Sequence, residues 1–251
     1  MAIQSRVPDP VPSATVLLTR PAAQSARFAA ALEAGFSGRL LYLTSPLLVP
    51  EWVADTVPRR DWKAILLTSE TGAEAAILRR VADRLPDLAL CVGQRTAEVA
   101  AAGFRVQVAG GDAAALLALA RGAGLPGPML HLRGRDARGD LAARLTAVGI
   151  ETAEIIVYDQ RAQPLGPAAM VALQSAATVI VPLFSPRTAA LFVAEVLRIG
   201  TRAPLHLAAL SPAVADALAP LSSAKVEIAE RPDAPAMIEA IGLLLGNLRL
   251  S

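Results

Sequence analysis

The chain has 251 residues, a formal net charge of +2, 54% hydrophobic and 18% charged residues, and 4% aromatics. That length suits one large or two small domains with cores of their own, and the apolar share excludes a disordered chain, a collagen and a coiled coil. The lone Cys91, in the run LALCVG, excludes an internal disulfide and a zinc cluster, and the near-balanced charge gives no reason to expect a nucleic-acid partner.

The chain starts MAIQSRVPDPVPSA, polar and proline-rich with no apolar stretch of the kind a secretion signal carries, and no later run reaches the roughly 20 apolar residues that cross a bilayer. A cytoplasmic protein with no membrane partner is expected. Strands are then expected at TVLLTR (15–20), RLLYLT (39–44), AILLTS (64–69), LALCVG (88–93), RVQVA (105–109), PMLHLRG (128–134), TAEIIVY (152–158), TVIVPLFS (178–185), LHLAALS (205–211) and KVEIAE (225–230). Alanine-rich helices lie between most of them, at 21–35, 70–85, 95–103, 111–124, 136–149, 186–200, 211–221 and 234–248. Gly35, Gly103, Gly149 and Gly200 stand where left-handed C-caps belong. Alternating strands and helices of this kind make a mostly parallel α/β sheet.

The chain also repeats itself. TVLLTRPAAQSARFAAALEAGFSGRLLYLT has the layout of PMLHLRGRDARGDLAARLTAVGIETAEIIVYD, AILLTSETGAEAAI that of VIVPLFSPRTAALFV, and CVGQRTAEVAAAGFRVQVA that of LAALSPAVADALAPLSSAKVEIAE. Two equivalent flavodoxin-like or Rossmann-like domains follow. RLLYLTSP and AEIIVYDQ are too polar for buried central strands, so segments 38–45 and 153–161 are expected to pair antiparallel as a two-stranded linker. Domain one is then 1–37 plus 162–251, and domain two, inserted into it, is 46–152; a tandem split near residue 125 is the competing arrangement.

Neither GxGxxG, GxxxxGK[ST], GxSxG nor HExxH occurs, so no nucleotide, metal or other cofactor is expected. His131 and His206 sit in apolar strands without an acidic or cysteine partner at ligand spacing and read as structural. What remains is a set of polar strand-to-helix corners: Arg20-Pro21, Ser69, Gly93 to Thr96, Arg133-Gly134-Arg135, Ser185-Pro186-Arg187 and Ser211. At the carboxyl edge of a parallel sheet, free helix N–H groups and arginine forks suit an anionic ligand. Each serine or threonine has a plainer reading as an N-cap.

With these corners in order, the chain resembles the uroporphyrinogen-III synthase family over nearly its whole length, from TVLLTRP through LLTSETGAEA, CVGQRTAEVAAAGF, LHLRGRDARGDLAARLTAVG, EIIVYD and FSPRTAALF to ALSPAVADAL. The resemblance implies a lyase of tetrapyrrole biosynthesis that closes hydroxymethylbilane through a spiro intermediate, inverting its last ring and losing water. It implies two domains joined by two linker strands, and a monomer is expected. It places a catalytic tyrosine at Tyr158, a threonine of the VGxxTA corner at Thr96 and a corner serine at Ser185. The chain departs from the family at ALSPAVADAL, where Ser211 replaces a glycine and Ala213 and Val214 replace two threonines. Two roles stand open for Tyr158, proton donor and hinge packing, and a two-domain anion-binding protein without catalysis is the alternative function.

Overall fold

The computed structural model describes residues 14–53, 55–122, 124, 127–136 and 139–248; all of the proline-rich start except Ala14 lies outside them. In chain order the elements are β1 (Ala14–Leu18), α1 (Ala22–Phe36), β2 (Leu40–Thr44), β3 (Leu48–Trp52), β4 (Ala64–Leu67), α2 (Glu70–Arg79), β5 (Leu88–Cys91), α3 (Gln94–Ala100), β6 (Arg105–Val108), α4 (Ala113–Gly122), β7 (Met129–Gly134), α5 (Leu141–Ala147), β8 (Thr152–Ala162), α6 (Pro167–Gln174), β9 (Val179–Leu183), α7 (Pro186–Ile199), β10 (Leu205–Ala209), α8 (Pro212–Asp216), β11 (Lys225–Ile228) and α9 (Ala234–Leu248). They form two compact units: unit 1 takes the chain up to Val49 and from Ala162 on, and unit 2 is Pro50–Arg161.

The sheet of unit 1 runs β11-β10-β9-β1-β2 and that of unit 2 runs β3-β8-β7-β4-β5-β6, with parallel pairing from β11 to β2 and from β8 to β6. Strand order reverses between β1 and β9 in unit 1 and between β7 and β4 in unit 2, so each is doubly wound with one switch point. The internal repeat reappears in space, because β2-β1-β9-β10-β11 and β8-β7-β4-β5-β6 are the same order reached from different starting points in the chain.

Burial on both faces explains the apolar strand runs. Every residue of β4, β5, β9 and β10 is buried, as strands covered on both sides require. In unit 1, α6, α7 and α8 cover one face through Leu173, Phe192 and Val214, and α1 and α9 cover the other through Phe28, Leu32, Met237 and Ile241. In unit 2, α2 and α3 cover one face with Ala73, Ala76 and Ala97, and α4 and α5 the other with Leu116, Leu141 and Leu145. Full burial of one such leucine contributes about 1.5–3 kcal/mol.

Three expectations are corrected. Segment 38–45 is no linker: β2 is the edge strand of unit 1, pairing parallel with β1 from Ala14↔Leu40 to Leu18↔Thr44, and its polarity belongs to an edge. The partner of β8 is β3, which the sequence hid because Pro50 interrupts it; proline is tolerated there since β3 is itself an edge. Val53 donates to the Val157 carbonyl at 3.1 Å and Gln163 to that of Leu47 at 3.1 Å, so one strand's numbers rise as the other's fall, and the pair is antiparallel. Finally, α1 runs through Gly35 and closes at Ser37 and Gly38, whereas Gly149 and Gly200 do take positive φ and Gly103 does not. The short helix α6 has no counterpart among the expected helices.

Candidate active site

The polar corners lie where the sheets end. Arg20 and Pro21 follow β1, Ser185 to Arg187 follow β9, and Ser211 follows β10; in unit 2, Ser69 follows β4, Gly93 follows β5, and Arg133 to Arg135 close β7. Each group is on neighbouring parallel strands of one sheet.

The densest polar constellation is at the switch point of unit 2. Ser69 adopts an extended backbone and caps α2, its Oγ accepting the Gly72 N–H at 3.0 Å. The same Oγ lies 3.1 Å from the phenol oxygen of Tyr158, on β8. A β-bulge brings the tyrosine there. The β7–β8 register passes from Arg133↔Ile156 to Gly134↔Tyr158, leaving Val157 as the extra residue, so Val157 is fully buried among the α2 and α3 side chains and Tyr158 packs against the same cluster one position later. Arg135 N–H closes the turn on the Tyr158 carbonyl at 3.0 Å. Gly134 is required beneath the ring: a Cβ built there would fall 2.5 Å from Tyr158 Cζ and 2.7 Å from Cε2. The sequence therefore sets Tyr158 with two features, a bulge and a missing side chain.

Beside it runs a second chain of polar contacts. Thr68 Oγ1 is 3.2 Å from His131 Nε2, His131 Nδ1 is 3.2 Å from Glu154 Oε1, and Arg133 Nε donates to Glu154 Oε2 at 3.0 Å. Arg133 also donates to the carbonyls of Gly134 at 3.1 Å and Arg135 at 3.3 Å, fixing the turn under Tyr158. His131 is buried, and burial holds its pKa below the ordinary histidine value while the Glu154 carboxylate offsets part of that shift. His131 has an acidic partner that no ligand spacing announces: register brings Glu154 directly opposite it on β8. Thr68 and Glu154 join the site through these contacts, which no sequence motif announces.

The other predicted site residues fall as follows. Arg135 is paired with Asp159 at 2.7 Å. Gly93 is the N-cap of α3, and Thr96, in that helix's first turn, is buried. In unit 1, Ser185 caps α7 by accepting from Thr188 N–H at 3.1 Å, its Oγ 2.9 Å from Thr188 Oγ1, and Pro186 opens the helix, followed by Arg187. Arg20 donates to Gln24 at 3.0 Å and lays its guanidinium over the Phe184 ring, 4.2 Å from the centroid. Ser211 opens the five-residue α8 without a side-chain cap bond. The structure thus joins Tyr158, Ser69 and the Arg133–Arg135 turn in one constellation, while Arg20, Ser185 and Ser211 form the carboxyl edge of the other unit.

A groove of about 360 Å³ in unit 2, lined by Trp52, Val53, Leu78, Arg79 and Val157 among others, contains none of these residues. Among the described residues, no three His, Cys, Asp or Glu side chains gather to hold a metal, and no helix is long and apolar enough to cross a membrane.

A family model, uroporphyrinogen-III synthase HemD, matches residues 43–239. The chain belongs to this family. As a uroporphyrinogen-III synthase family member it is a lyase of porphyrin and heme biosynthesis, and the non-catalytic alternative finds no support. Its fold is shared with the uroporphyrinogen-III synthetase of Helicobacter pylori, with a TM-score of 0.60 and 16% identity over 92% of this chain and 99% of that one. A mutant uroporphyrinogen III synthase of Thermus thermophilus aligns at a TM-score of 0.43 and 16% identity, over 93% of this chain and 99% of that one. No curated protein matches the chain in sequence.

Proposed function

We propose that the protein cyclises hydroxymethylbilane to the type III isomer with Tyr158 as proton donor, and that polar strand-to-helix corners hold the substrate's carboxylates. The observation that supports this most directly is the Tyr158–Ser69 hydroxyl pair, 3.1 Å apart at the switch point of unit 2. Loss of the hydroxymethyl oxygen as water takes one proton, which the phenol gives. Ser69 Oγ, already accepting from Gly72 N–H, turns its own hydrogen to the phenolate, and the positive end of α2 steadies the charge. The azafulvene left behind is attacked by the substituted carbon of the last ring to give the spiro species. One ring-to-bridge bond breaks, the freed ring recloses through its other carbon, and that carbon returns its proton to Tyr158. Water is the only by-product and the tyrosine is regenerated.

A phenol is a mild acid, so most of the selectivity falls to orientation: the bilane must be folded so that its last ring meets the first through the substituted carbon. Arg20, Arg187 and the N–H groups behind Ser185-Pro186 in unit 1, with Ser211, suit carboxylates by charge and geometry. In unit 2 the amides beyond Gly93 and the exposed Arg135 guanidinium, which meets Asp159 through Nε, do the same; Thr96 is buried and the less exposed Arg133 donates to Glu154, Gly134 and Arg135, so both support the site from beneath. In this reading the protein needs no cofactor and works as a cytoplasmic monomer without a nucleic-acid or membrane partner. Incubation with hydroxymethylbilane alone, followed by chromatography of the oxidised products, is expected to give the type III isomer; type I alone would overturn the proposal. Sedimentation is expected to give the 26.0 kDa monomer mass.

A further inference from the structure

We propose that His131 is a positioning residue: held by Glu154 with its hydrogen on Nδ1, it takes the Thr68 hydroxyl hydrogen on Nε2 and leaves the Thr68 oxygen to the ligand as an acceptor only, for a donor such as a pyrrole N–H. The proposal rests on the reading of this corner as the synthase site.

The polarity follows from the end of the chain of contacts. Arg133 Nε is a donor and points at Glu154 Oε2, 3.0 Å away, so the carboxylate is the acceptor for both its neighbours. Glu154 Oε1 then takes the hydrogen of His131 Nδ1 at 3.2 Å. A neutral imidazole protonated on Nδ1 has a lone pair on Nε2, and the group facing it at 3.2 Å, Thr68 Oγ1, is left to donate. Burial disfavours the imidazolium, which would reverse this last bond, and Glu154 on β8 and Arg133 on its own strand are the charged groups whose fields act on it. Thr68 is half-buried and adjoins Ser69, whose oxygen is 3.1 Å from the Tyr158 phenol. The two neighbouring hydroxyls are therefore set to opposite tasks: Ser69 serves the phenol, and Thr68 offers lone pairs. A tetrapyrrole chain carries N–H donors as well as carboxylates, and an acceptor-only oxygen favours the former and repels the latter.

The arrangement allows an isosteric inversion. In Glu154→Gln the Arg133 donor holds the amide oxygen, so the amide NH₂ faces His131 Nδ1, moving the imidazole hydrogen to Nε2 and turning Thr68 from acceptor into donor. With two histidines in the chain, ¹⁵N-histidine labelling reads the tautomer directly, and His131→Leu assigns the signals. The wild type is expected to show His131 protonated on Nδ1, Glu154→Gln on Nε2. Glu154→Gln and Thr68→Val are each expected to lose kcat/KM of the order of tenfold, mostly through KM, as one hydrogen bond to the ligand is lost, and the double variant no more than either alone. A wild-type imidazole protonated on Nε2, an inverted tautomer with unchanged kcat/KM, or losses that multiply in the double variant would each overturn the proposal. If Glu154→Gln does not fold, the wild-type spectrum and Thr68→Val still decide it. Absence of type III product from the wild type would instead overturn the synthase reading and the ligand assigned to Thr68, while the tautomer stands on the spectrum.

Discussion

The two switch points share a backbone and differ in wiring. Ser69 and Ser185 stand at equivalent corners, with φ/ψ of −152°/154° and −152°/150°, and both cap the helix that follows. In unit 2 the corner opens onto hydroxyls, an imidazole and a carboxylate: Thr68, His131, Glu154 and Tyr158. In unit 1 the residue before the capping serine is Phe184, the β1 residue in the place that His131 has on β7 is Leu18, and Leu18 pairs with Thr44 where His131 pairs with Glu154. There Arg20 is stacked over Phe184, whose ring meets Phe28 edge-on at 5.1 Å. The sheets open by different means as well. The β1–β9 ladder ends at Val16↔Ile180, before Pro182, which has no N–H to continue it, whereas β7 reaches Leu132 against β4 and separates from β8 through the bulge at Gly134. Duplicated architecture has left one half with the hydrogen-bonding apparatus and the other with a charge on an aromatic platform.

The comparison breaks most visibly at Tyr158. Tyr158→Phe is expected to lower kcat about 10- to 1000-fold in a folded protein, as loss of general-acid help does, and Gly134→Ala to approach that loss because the new methyl displaces the ring. Steady-state assays with circular dichroism check both; a Gly134→Ala enzyme near wild-type activity would show that the ring's seat does not matter. The paired serines sharpen the contrast next. Ser69→Ala and Ser185→Ala are each expected to cost about 1 kcal/mol of stability as lost N-caps, but only Ser69→Ala should also slow turnover strongly, since its oxygen alone of the two meets the phenol. Equal kinetic losses would assign both corners to the chemistry.

Smaller still is a pH effect. His131 has a depressed pKa in the folded protein, so below about pH 6.5 the unfolded chain takes up a proton that the folded one refuses, and stability falls as pH falls, by at most about 1.4 kcal/mol per pH unit for this group. Denaturant titrations between pH 7 and 5 should show that slope, and His131→Leu, which installs the residue found in unit 1, should reduce it. The smallest expected change is Phe184→Leu, which removes a cation–π contact worth about 0.5–1 kcal/mol and loosens Arg20; a modest rise in KM with unchanged kcat would mark Arg20 as a holder of substrate.

Much of this was legible in the sequence because local signals and global architecture agree. Serines placed directly between an apolar strand and an alanine-rich helix, as at Ser69 and Ser185, announce their caps. Runs such as VIVPL and LALC announce strands covered on both faces. The failures have physical causes of their own. Pro50 masked β3, since a proline argues against a strand unless the edge position is known, and the polarity of β2 signalled an edge where a linker was inferred. The Glu154 partner of His131 was invisible because parallel register is set across an intervening helix, and no spacing rule links residues 131 and 154. The bulge that delivers Tyr158 leaves no mark in the sequence beyond Gly134.

The place where the chain enters each sheet also sets an order of assembly. Unit 2 is one uninterrupted stretch, so once Arg161 has left the ribosome all its strands are present. Unit 1 is not so placed: β1 has β2 beside it early, yet its other neighbour is β9, and Thr15 waits for Val179. β1, the first strand among the described residues, therefore spends much of synthesis with an open flank, even after unit 2 is complete. Protease protection on chains stalled at successive lengths should show Pro50–Arg161 resistant before β1, and the exposed flank of β1 is the point at which slow synthesis or a missing C-terminal half would invite mispairing.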